Sequence, residues 1–79
     1  MKWQRDPVVY PAIYDSADGR FRITRRYMRR RLRMTYSHIE LVDRTSGEAY
    51  EGFRSLRDAQ GRAESIGRVD AGRERMTPA

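Results

Sequence analysis

Between Arg20 and Thr24 polar and apolar residues alternate without a break: Phe21 and Ile23 fall on one side, Arg20, Arg22 and Thr24 on the other. A period of two is the pattern of a strand with one buried face, and it predicts a strand from Arg20 to about Met28. The period returns from Tyr36 to Asp43, where Ile39 and Leu41 share one face and His38, Glu40 and Val42 the other. Upstream, Val9 to Asp15 is rich in Val, Tyr and Ile, which favour strands. Pro11 lacks a ladder donor and predicts an edge position for this strand. Asp15-Ser16-Ala17-Asp18-Gly19 and Arg44-Thr45-Ser46-Gly47 carry dense turn chemistry. A short fourth strand, Glu48 to Phe53, is expected after the second turn. Arg29 to Arg33 has no periodicity and is expected to bridge two strands as an exposed, mobile loop.

From Ser55 the period changes. Ser55-Leu56-Arg57-Asp58 matches a capping box, with Ser55 as N-cap. Leu56, Ala59, Ala63 and Ile66 follow at spacings of three, four and three, one apolar stripe of a helix. Gly61 lies inside it, and Gly67 stands where a C-cap glycine belongs. The fold class expected is α+β: a small antiparallel sheet of three to four strands with one C-terminal helix packed on one face. Its core comprises Val9, Ile13, Phe21, Ile23, Ile39, Leu41, Phe53, Leu56, Ala63 and Ile66, with Trp3 folding back as a cap. Residues 1–8 read as an irregular lead-in, 9–67 as a single domain, and 68–79 as a disordered tail.

Composition narrows the picture. With 79 residues and only thirteen Leu, Ile, Val and Phe, the core is thin. There is no cysteine, so disulfides and thiolate metal sites are excluded. No apolar run approaches the roughly 20 residues that span a bilayer, and no signal-peptide core follows Met1. A cytoplasmic protein with no membrane partner is expected.

Charge changes the picture more. Arg20 to Arg33, RFRITRRYMRRRLR, holds eight arginines in fourteen residues and no acid. The net charge is +6, so a segment carrying +8 leaves the remainder slightly acidic. Arginine is always ionised and offers a planar fork of donors matched to phosphate and carboxylate. Arginine far outnumbers lysine in the chain, as a GC-rich genome tends to impose. Arginines elsewhere, however, are interleaved with acids, so the patch is local. A local patch of this kind suggests a polyanion, with DNA or RNA first. A solvated basic face without a partner is the plain alternative.

Catalytic chemistry is sparse. His38 is the lone histidine. It shares a strand face with Glu40, which reads as a strand surface with a cross-strand hydrogen bond rather than a proton-transfer pair. Asp15 and Asp18 read as turn residues. No nucleophile–histidine–acid set, glycine-rich phosphate loop or metal-ligand spacing appears. A non-enzymatic protein without cofactor is expected.

Three segments carry a resemblance: Tyr14 to Ile23 (YDSADGRFRI), Leu41 to Gly47 (LVDRTSG) and Phe53 to Glu64 (FRSLRDAQGRAE). Over roughly residues 10–66 the chain resembles small, uncharacterised proteins of actinobacteria and their phages. It also loosely resembles the AP2-like, arm-binding DNA-binding domains of phage integrases. The second resemblance implies DNA read with the exposed sheet face; the chain departs from it in its long Tyr27 to Met34 segment.

The residues expected to hold nucleic acid are Arg22, Arg25, Arg26, Tyr27, Arg29, Arg30, Arg31, Arg33 and Tyr36. Interleaved arginine and tyrosine suit single strands, where rings stack on bases and guanidinium groups hold phosphates. A duplex alternative places Arg22, Thr24 and Arg26 in a major groove with Arg29 to Arg31 on phosphates. The competing class is an interaction module that binds an acidic host protein surface or self-associates. A homodimer would use the edge strand near Val9 and the apolar Met28, Leu32 and Met34.

Overall fold

A computed structural model describes residues 2–8, 10–30 and 34–76, with 28–30, 34–36 and 73–76 as backbone only. The order is five strands and a helix: β1 Trp3–Arg5, β2 Ala12–Ser16, β3 Phe21–Arg30, β4 Met34–Asp43, β5 Ala49–Tyr50 and α1 Leu56–Met76. The strands form one antiparallel sheet in the order β1-β2-β3-β4-β5, a meander in which each strand pairs with its neighbour in sequence. Among the described residues no helix is long and apolar enough to cross a membrane.

Turn chemistry sets the registers. Ser16 Oγ donates to Asp18 (2.6 Å) and accepts from the Phe21 amide (2.9 Å), while Asp18 accepts from the Arg20 amide (3.1 Å). Gly19 takes φ +76°, a conformation costly for any residue with a Cβ. β2 and β3 pair about this turn, from Asp15 opposite Arg22 to Ala12 opposite Arg25. Gly47 at φ +78° plays the same part in the second turn, its amide donating to the Asp43 carbonyl at 2.8 Å.

The period of two is kept through β3 and β4. Phe21, Ile23, Ile39 and Leu41 are buried together with Ala59 and Ala63 of α1. Trp3, Tyr14, Tyr50, Phe53, Leu56 and Ile66 pack around them half-buried. The two alanines let the helix lie close to the sheet. Ser55 caps it, Oγ accepting from the Asp58 amide at 3.2 Å.

Several expectations are corrected. Residues 1–8 are not irregular: Trp3–Arg5 pairs with β2, so β2 is internal and the edge passes to β1. Pro11 stays just outside β2, where its missing donor breaks no ladder bond. Ile13 lies opposite Thr24, on the sheet face away from the helix, and Tyr14 takes the core side instead. Arg29 and Arg30 do not belong to a loop; they extend β3 opposite Thr35 and Met34. Gly67 does not end the helix, which runs on to Met76 and removes the expected tail over 68–76. Val9, Leu32 and residues 77–79 lie outside the described residues.

Arg20 explains the longer helix. Its guanidinium bridges both oxygens of Asp43, each at 3.1 Å, and also pairs with Asp70 of α1. Asp43 is 2% exposed and accepts a further bond from the Thr45 amide at 3.0 Å. A buried carboxylate is stable only when so paired. The hydrogen bond from Arg20 dominates and holds Asp43 below its ordinary value, against the opposing effect of burial. Asp43 and Asp70 in turn raise the Arg20 pKa further. The ion pair ties the last turns of α1 to the β2–β3 turn.

Candidate functional site

β2 pairs with β3 only as far as Ala12 opposite Arg25, and β5 pairs with β4 only at Leu41 and Val42. Beyond these points β3 and β4 continue as a two-stranded ribbon, paired to Arg30 opposite Met34. The arginine-rich segment thus has one end in the sheet and the other on a projecting hairpin.

Tyr10 meets the ribbon where β2 has ended. Its hydroxyl accepts from the Tyr27 amide (3.3 Å) and donates to the Tyr27 carbonyl (3.4 Å). A side chain here satisfies the backbone groups that a continuing strand would have met. The Tyr10 and Tyr27 rings lie nearly parallel, 11° apart with centroids 6.3 Å from one another. They stay 54% and 58% exposed, so no element among the described residues covers them. The Tyr10–Pro11 peptide bond is cis.

Two arginines flank this shelf. The Arg25 guanidinium lies 5.6 Å from the Tyr27 ring centroid, and its Nη2 donates to Ser37 Oγ at 3.2 Å. Arg5 of β1 lies 5.8 Å from the ring of Tyr14, its register partner. Neither makes an ion pair among the described residues. Arg5, Tyr10, Ala12, Tyr14, Arg25 and Tyr27 line one cleft of about 240 Å³. Ala12 leaves the room, being the small residue between two tyrosines on the same face of the chain.

The opposite sheet face is different. Arg22 is held by Asp15 at 2.9 Å, and Arg44 reaches the same carboxylate at 3.4 Å. The hydrogen bond from Arg22 keeps Asp15 below its ordinary value. Arg22 is thus already paired, and Asp15 serves an ion pair rather than the turn. Arg26 lies on this face with Thr24, His38 and Glu40, lining a cleft of about 220 Å³. The cross-strand hydrogen bond expected of His38 is not made among the described residues. Instead His38, Glu40 and Glu51 bring a ring nitrogen and two carboxylate oxygens within 4.8 Å of one another. That donor set suits a borderline divalent cation. Glu51 comes from a different segment, so spacing within β4 could not reveal the group.

Of the residues expected from sequence, Arg25 and Tyr27 meet on one face, while Arg26 and Arg22 lie on the other. Arg29, Arg30 and Tyr36 continue the ribbon as backbone, opposite Thr35, Met34 and Met28. Arg31 and Arg33 lie outside the described residues. Tyr10, Tyr14 and Arg5 were not foreseen. Comparison with protein families, characterised proteins and solved structures found no match. Function therefore has to be read from the site itself.

Proposed function

We propose that this protein binds nucleic acid through the Arg25–Arg30 side of its β3–β4 hairpin, without catalysing a reaction on it. The observation that carries this reading is the exposed Tyr10–Tyr27 pair beside Arg25, at the base of an arginine-rich ribbon. Cation–π and phosphate chemistry meet there on one uncovered surface. An acidic protein surface would use the same guanidinium groups, but two parallel rings set beside arginine suit flat bases next to phosphates better. Arg26 extends the positive charge to the other face of the ribbon, while Arg20 ties the helix to the sheet and Arg22 joins β3 to β2.

Fluorescence anisotropy with labelled oligonucleotides tests the reading. At about 50 mM salt, binding at micromolar protein is expected, because non-specific contacts are of about this strength or weaker at physiological salt and tighten as salt falls. Absence of binding to every strand and duplex under those conditions would refute it.

A further inference from the structure

We infer that the Tyr10–Tyr27 shelf makes the protein prefer single-stranded nucleic acid, receiving an unpaired base while Arg5 and Arg25 hold neighbouring phosphates. This rests on the nucleic-acid reading above and goes further by naming the form of the ligand. In a duplex the flat faces of the bases are stacked on one another and only their edges are presented in the grooves. Exposed ring faces have value only where bases are unstacked.

The shelf is built to hold its shape. Both hydrogen bonds of the Tyr10 hydroxyl go to the Tyr27 backbone, which fixes the Tyr10 ring against β3. Arg25 is held from behind by Ser37, so its guanidinium stays near the Tyr27 ring. The cleft of about 240 Å³ continues from the shelf past Ala12 to Tyr14 and Arg5, which gives a strand a course across β3, β2 and β1. A preorganised platform of this kind loses little entropy on binding. The duplex alternative is weaker, since Arg22 is occupied by Asp15 and cannot reach a groove without breaking that pair.

The test compares labelled deoxy- and ribo-oligonucleotide strands with a duplex of equal length, at one salt concentration. Tighter binding of either strand chemistry than of duplex is the expected result. In the doubly substituted protein Tyr10→Leu/Tyr27→Leu, with its fold checked by circular dichroism, strand affinity should fall roughly tenfold or more. Duplex affinity should not change. If the double variant does not fold, Tyr27→Trp answers the same question: the larger ring should tighten strand binding and leave duplex binding alone. Equal binding of strand and duplex by the unaltered protein, or tyrosine variants with unchanged preference, would overturn the inference and leave general nucleic-acid binding standing. Binding of neither, with capture of polyglutamate instead, would overturn both.

Discussion

At the scale of single residues, the arginines divide by partner. Arg20 and Arg22 are consumed by Asp43, Asp70 and Asp15, whereas Arg25 and Arg26 make no ion pair among the described residues. Asp43→Asn should cost about 1–3 kcal/mol at neutral pH, because a buried charge-assisted pair loses its anion. Asp15 and Asp43 are both held below their ordinary value of 3.8. Their contribution is therefore complete above that value and lost as pH falls through the lower folded-state values. Thermal melts should show stability dropping below about pH 4, and less steeply in Asp43→Asn. Trp3 offers the opposite case: its indole N–H is buried and has no acceptor among the described residues. An unpaired buried donor costs about 1–3 kcal/mol, and Trp3→Phe removes it while losing part of the ring's packing, so the two offset and stability should change by less than about 1 kcal/mol. Urea unfolding would check this; a loss above about 2 kcal/mol would contradict it.

At the scale of elements, periodicity was the reliable signal and termini were not. Phe21, Ile23, Ile39 and Leu41 could be assigned to one face from alternation alone, and Ser55 could be read as a cap. β1 was illegible because three residues, Trp3 to Arg5, are too few to show a period. The end of α1 was misread because Gly67 resembles a C-cap, while the ion pair that continues the helix comes from Arg20, far off in sequence. Asp70→Ala should therefore shorten the helix, lowering ellipticity at 222 nm while the cooperative melt persists. Ala63→Leu should act on the same face of α1, about two turns before Asp70. Ala63 is fully buried, and overpacking there should cost about 1–3 kcal/mol in chemical denaturation. Tyr10 was the candidate-site residue that was missed, although a signal existed. A hairpin centred on Asp18–Gly19 places Ala12 opposite Arg25 and, two residues on, Tyr10 opposite Tyr27.

At the scale of the whole molecule, charge and fold are arranged along one axis. The structure measures 58 × 25 × 19 Å, and the Arg20–Asp70 pair and the Arg30–Met34 pair mark opposite ends of β3. Carboxylates gather near the turns, where Asp15, Asp43 and Asp70 neutralise arginines and the Arg20–Asp70 pair binds the helix. The far end of β3 and β4 keeps arginine and exposed tyrosine. If this end meets a chain of phosphates, binding releases counterions and weakens as salt rises. Anisotropy titrations of a single-stranded oligonucleotide across a salt series should give a linear fall of log affinity with log salt. Four to six phosphate contacts would make the slope about −3 to −4, and Arg25→Gln should reduce it by about 0.7. A flat salt dependence, or a slope unchanged by Arg25→Gln, would contradict the account.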